Sequence, residues 1–128
     1  MIFIVDDDKW VVRAILILLR FAGFDARGFT SAEDFLNDAH VTGSDCIVLD
    51  LKMPGMDGFD LMKKFDILGI NAKVIILTAY DDVANRQRAR EMKAAAFLTK
   101  PVDDQALIDT IKWVLQGEDK GNTMRQSA

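Results

Sequence analysis

The chain has 128 residues, enough for one domain with a real core and too few for two. Apolar residues make up 50% of it, and acids outnumber bases 20 to 16 for a net charge of −4, which weighs against direct nucleic-acid binding. A single cysteine excludes a disulfide framework, no run reaches the about 18 apolar residues of a membrane span, and the N-terminus opens without a basic region or cleavage site, so a cytoplasmic protein is expected.

Met1 to Val5 reads as a strand and ends in Asp6-Asp7-Asp8. From Lys9 to Ala22 the pattern turns helical, with Val11, Ala14, Ile15, Leu18, Leu19 and Ala22 on one face. Asp8 is the expected N-cap and Gly23 the stop. Phe24 to Phe29 is a short second strand, and Thr30 or Ser31 caps a helix reaching about Ala39, where Ser31 and Asp34 imitate a capping box. After the turn Thr42-Gly43-Ser44, the run Cys46 to Leu49 predicts a buried strand, with Cys46 a small hydrophobe inside it. That strand ends in one carboxylate, Asp50, beside the breakers Met53-Pro54-Gly55 and Asp57-Gly58. Phe59, Leu61, Met62 and Phe65 mark a third helix ending near Gly69, and Val74 to Leu77 a fourth strand followed by Thr78. Asp81 or Asp82 begins a charged, weakly apolar helix to about Ala94, and Ala95 to Leu98 is a fifth strand, followed by Thr99-Lys100-Pro101. The last helix is expected from about Asp103 to Gln116, with Gly117 ending it and residues 118–128 forming a polar tail or truncated linker.

Strands and helices that alternate five times over residues 1–117 predict an α/β domain. The fold class is a doubly wound, flavodoxin-like (βα)5 arrangement whose five parallel strands run in the order 2-1-3-4-5. Parallel strands present their C-terminal ends on one edge, so Asp6, Asp7, Asp50, Thr78 and Lys100 converge there. Three carboxylates in one crevice repel one another and need a cation or protons. An oxygen-rich set suits Mg²⁺, with Mn²⁺ the alternative. Lys100 supplies a point charge and Thr78 a hydroxyl, both suited to phosphoryl oxygens. Pro101 holds the Lys100 backbone extended, and a cis bond between them is expected. Asp50 by itself is open to three roles: nucleophile, metal ligand or base.

With these residues in order, the chain resembles the receiver domain of two-component response regulators. The acidic pair, Asp50-Leu-Lys-Met-Pro-Gly-Met-Asp-Gly58, Thr78-Ala79 and Lys100-Pro101 carry the likeness over about residues 1–117. The phrase Phe97-Leu-Thr-Lys-Pro-Val-Asp103 resembles receivers attached to DNA-binding domains, in the manner of FixJ-type regulators. The resemblance implies that Asp50 accepts a phosphoryl group from the phosphohistidine of a sensor histidine kinase or phosphotransfer protein. It implies that Asp7, Asp50 and the Lys52 backbone carbonyl ligate Mg²⁺, with Asp6 acting through a metal-bound water. Thr78 and Lys100 would then bind the phosphoryl group, and Phe97 would be the aromatic switch residue. The fourth helix, fifth strand and fifth helix would form the output or dimerisation surface. Such a domain is a signalling switch with self-catalysed phosphoryl transfer and autodephosphorylation, not an enzyme acting on a separate substrate. Lys52 and Tyr80, each two residues past a site residue, flank the path of an attacking water and are candidates for setting the phosphoryl lifetime.

Two departures stand out. The first helix carries Trp10, Val12, Leu16, Ile17 and Phe21 besides its core stripe. At about 100° per residue, Leu16 is expected to point away from the core, making this face a partner or dimer contact. The fourth helix is the converse, and Lys93 stands near its end where receivers commonly have glycine. Rival readings are weaker. An aspartyl-phosphate hydrolase would want an acid where Lys52 stands, and a flavin or nucleotide carrier would want a Gly- or Ser-rich loop where Asp6-Asp7-Asp8 stand. A phosphorylation-independent pseudo-receiver would lack one of the required groups.

Overall fold

The computed structural model describes the backbone of residues 1–127 and the side chains of residues 1–117. Five parallel strands pair in the order β2-β1-β3-β4-β5, which is the expected doubly wound topology. They are β1 (Ile2–Val5), β2 (Ala26–Phe29), β3 (Cys46–Leu49), β4 (Lys73–Thr78) and β5 (Ala96–Thr99). Every residue of β1 and β3 is buried, because each strand faces a core on both sides. Alternate residues divide between those cores: Phe3, Val5, Ile47 and Leu49 face one, and Ile2, Ile4, Cys46 and Val48 the other. Helices α2 (Ala32–Asp38), α3 (Gly58–Leu68) and α4 (Val83–Glu91) cover the first core, while α1 (Lys9–Phe21) and α5 (Asp104–Ser127) cover the second. Phe35 anchors the first core. Its ring meets Phe3, Phe29 and Phe65 edge-on at centroid distances of 5.4, 5.3 and 6.0 Å.

Register positions the edge chemistry. Val5 pairs with both Phe29 and Leu49, so the next residues, Asp6 and Asp50, emerge level with each other. The Asp50 N–H donates to the Val5 carbonyl at 3.0 Å, carrying the ladder one step past the strand.

Most helix ends follow their predicted chemistry. Asp8 caps α1, accepting from the Trp10 and Val11 amides, and Ser31 caps α2, accepting from the Asp34 amide. The reciprocal capping box sits elsewhere, at α3, where Asp57 and Asp60 exchange bonds with each other's backbone. Asp82, not Asp81, caps α4.

Three expectations need correction. The buried stripe of α1 is Val12, Ile15 and Leu19, with Ala14 and Ala22 exposed, so the helix is rotated from its predicted face. Gly28 explains this. A Cβ there would meet Val12 Cγ1 at 2.3 Å and Leu16 Cδ1 at 3.1 Å, so a bare backbone lets both side chains settle onto β2. Leu16 is therefore half-buried, and the outward face is Trp10, Ile17 and Phe21. Second, α5 continues through Gly117 and Gly121 to Ser127; each glycine costs a helix only about 1 kcal/mol relative to alanine. The side chains of residues 118–127 and all of Ala128, on which the polar-tail expectation falls, lie outside the described residues. Third, α4 stops at Glu91, short of Ala94, because Lys93 takes a left-handed backbone with φ 64°.

Only Ala89 of α4 is buried, so this helix is held by little apolar surface. Lys93→Gly is expected to raise stability by about 0.5–1 kcal/mol, since relief of the left-handed conformation outweighs the added freedom of the unfolded chain. Urea unfolding checks this; a variant of equal or lower stability contradicts it.

Candidate functional site

The ends of β1, β3, β4 and β5 open onto one crevice of about 600 Å³, lined by Asp6, Asp7, Asp50, Lys52, Tyr80 and Lys100 among others. Asp6 and Asp50 are both nearly fully buried. The Lys100 ammonium donates to Asp6 Oδ2 at 2.6 Å and to Asp50 Oδ2 at 3.3 Å. The second oxygen of each acid is also engaged. Asp6 Oδ1 accepts from the Asp8 amide at 2.9 Å, and Asp50 Oδ1 from the Leu51 amide at 2.8 Å. Asp7 is exposed, and among the described residues no protein donor reaches its carboxylate.

Burial governs the electrostatics. It pushes the Asp6 carboxyl above its ordinary value, and the Lys100 and Asp8 hydrogen bonds offset this only in part. Burial also disfavours the charged form of Lys100, but the hydrogen bond and charge of Asp6, with those of Asp50, outweigh it and hold the ammonium above its usual range.

Carboxylate oxygens of Asp6, Asp7 and Asp50 lie within 4.8 Å of one another. Hard oxygen donors of this number and charge fit Mg²⁺, which takes few protein ligands and keeps waters. Asp7 is the freest donor. The oxygens of both Asp6 and Asp50 already accept hydrogen bonds from the protein.

The remaining residues singled out in the sequence divide. The Lys52 ammonium lies 5.3 Å from the centre of the Tyr80 ring, so the two span the crevice mouth. The Lys100–Pro101 peptide is cis. Thr78 does not line the crevice. It is the last residue of β4, fully buried, and its Oγ1 accepts from the Tyr80 amide at 3.2 Å. Phe97 is half-buried on β5, with the Arg86 guanidinium 4.6 Å from its ring centre. Arg86 pairs in turn with Asp81, which also accepts from Thr99 Oγ1 at 2.6 Å. Those partners hold the Asp81 carboxyl at about 2. Cys46 is inert by comparison: burial pushes its thiol up to about 12.

Sequence reasoning missed the Asp81–Arg86–Thr99 cluster and Glu33, which reaches the β3–α3 turn. Their partners lie on different elements, and neither periodicity nor a motif signals them.

A family model described as the response regulator receiver domain matches residues 2–112. The response regulator protein TmoT of Ectopseudomonas mendocina is 35% identical over 115 residues, covering 90% of this chain and 52% of that protein. The transcriptional regulatory protein FixJ of Azorhizobium caulinodans is 35% identical over 111 residues, covering 87% and 53%. The chain thus spans about half the length of these regulators. The crystal structure of a response regulator receiver protein from Burkholderia phymatum superposes with a TM-score of 0.77 at 39% identity, covering 90% of this chain and 94% of that one.

Removing the cation between Asp6 and Asp50 leaves buried carboxylates facing one another. Lys100→Met is expected to lower the stability of the metal-free chain by about 1–3 kcal/mol, and Mg²⁺ to raise its melting temperature more than that of the unaltered chain. Melts with and without Mg²⁺ test this; a smaller Mg²⁺ response in the variant contradicts it.

Proposed function

The chain belongs to the response regulator receiver domain family, and from that premise we propose that Asp50 is its phosphoacceptor. The observation that carries the reading is the Asp50 carboxylate held in a crevice between a lysine ammonium and an exposed second acid, Asp7. An Asp50 oxygen attacks the phosphorus of a phosphohistidine on a sensor kinase or phosphotransfer protein. The P–N bond breaks as the O–P bond forms, and the imidazole leaves with the electron pair. When bound, Mg²⁺ supplies compensation for the charge on the transferring oxygens. Asp7, Asp50 and the Lys52 carbonyl would hold it, with Asp6 acting through water. Lys100, released from Asp6, pairs with the new phosphoryl oxygens.

The switch follows from added charge. A phosphoryl group brings roughly −1.5 to −2 to the crevice and attracts donors. Thr78 leaves its bond with the Tyr80 amide to donate to it, and Phe97 turns into the space vacated. That motion needs Phe97 to part from Arg86, so the surface of α4, β5 and α5 changes with it. This mixed-charge surface suits self-association or output contacts. The outward face of α1 suits a second copy less well: the helix itself carries Lys9, Arg13 and Arg20 and no acid, so a two-fold pair would bring like charges together. It is the better contact for another partner. Among the described residues no helix is long and apolar enough to cross a membrane. We place the domain in the cytoplasm, contacting no nucleic acid itself.

A small-molecule phosphodonor with Mg²⁺ is expected to add about 80 Da, the mass of one phosphoryl group, to the chain and not to Asp50→Ala. No adduct, or one that survives the substitution, contradicts the proposal. Lys52 and Tyr80 flank the route of a hydrolytic water, so Lys52→Ala and Tyr80→Ala are expected to change the lifetime of the adduct by severalfold. Unchanged lifetimes in both variants end that role.

A further inference from the structure

The β3–α3 turn, Lys52 to Asp57, forms one wall of the crevice and carries the carbonyl assigned to the cation. Its two ends are fixed. Asp50 is held in strand register, the Gly58 amide donates to the Leu51 carbonyl at 3.0 Å, and Asp57 caps α3. Its tip is held differently. Glu33 Oε2, on α2, accepts from the Met56 amide at 3.0 Å. Among the described residues this is the hydrogen bond that ties the tip to another element.

The fit is specific to the residues present. Gly55 has φ 73°, and a Cβ there would lie 2.7 Å from Glu33 Oε2, so glycine permits both the turn and the close approach of the carboxylate. Glu33 itself stands on a rigid platform. Its neighbours Ala32 and Phe35 are essentially fully buried, and Phe35 is the centre of the aromatic cluster. A short helix pinned to the core therefore reaches across to fix the wall of the site.

We propose that Glu33 is a positioning residue for the cation and phosphoryl site: by holding the Met56 amide it sets the β3–α3 turn, and with it the Lys52 carbonyl, in the orientation that binds the ion. The inference rests on the metal-site reading above. Groups that orient metal ligands typically change metal affinity by about 10–100-fold when removed, and a contact one step further out belongs at the lower end of that range.

The test is an Mg²⁺ titration of the 128-residue chain by calorimetry, with melting temperatures measured alongside. Glu33→Ala is expected to weaken Mg²⁺ binding about tenfold, and Glu33→Gln, which keeps an acceptor oxygen for Met56, to stay within about twofold of the unaltered chain. Glu33→Asp, too short to reach the amide, replaces the alanine variant should that one not fold. A loss below about threefold in the shortened variants overturns the proposal, as does a Gln variant as weak as the Ala variant, which would assign the effect to charge. Asp7→Asn separates the two claims. If it binds Mg²⁺ like the unaltered chain, the metal-site reading fails and takes this proposal with it. If it does not, the Glu33 variants decide the proposal alone.

Discussion

The ammonium of Lys100 between Asp6 and Asp50 is the interaction on which the rest of the structure depends. A doubly wound parallel sheet sends its strand ends to one edge, and this chain places acids at two adjacent ends. Two buried carboxylates cannot both stay ionised there without compensation. Lys100 supplies it from the far end of the sequence, 94 residues from Asp6 and 50 from Asp50. The compensation is partial, since Asp6 remains raised by burial and, among the described residues, no protein donor reaches Asp7. A site left short of positive charge is one that a divalent ion could complete.

The same economy runs through the residues behind the crevice. Thr78 is buried and already bonded to the Tyr80 amide, and Phe97 already lies under Arg86, which Asp81 holds in place. Both side chains have partners they would exchange when charge is added at Asp50. The helix carrying Arg86 buries only one residue, so little apolar surface holds it to the core. The β3–α3 wall is built for stillness, with a turn clamped at both ends and at its tip. The clamped turn and the loosely held α4 thus lie on different sides of Asp50, the proposed phosphoacceptor.

Much of this was legible in the residues. Continuous apolar runs ending in acids predicted strands buried on both faces, and the order of those ends predicted which acids meet. Asp8, Ser31 and Gly69 marked their helix termini through local chemistry that needs no tertiary context. What failed depended on contacts between elements. The rotation of α1 was set by the bare backbone of Gly28 on β2, which periodicity within α1 does not report. The end of α4 was set by one lysine in a left-handed conformation, and α5 ran on through Gly117 although glycine usually marks a stop. Thr78 was placed at the correct strand end, but its side chain turned inward to satisfy an amide two residues on. Glu33 lies 23 residues from Met56, and nothing in either stretch names the other.

Metal, phosphoryl group and Lys100 are proposed to meet at Asp50. A crystal structure of this chain with Mg²⁺ and beryllofluoride, a mimic of a carboxylate-bound phosphoryl group, tests it most directly. Beryllium is expected on an Asp50 oxygen, the ion held by Asp7 and Asp50, and the Lys100 ammonium moved from Asp6 Oδ2 onto a fluoride. Beryllofluoride on any other residue, or Lys100 still bonded to Asp6 beside an occupied Asp50, would contradict it.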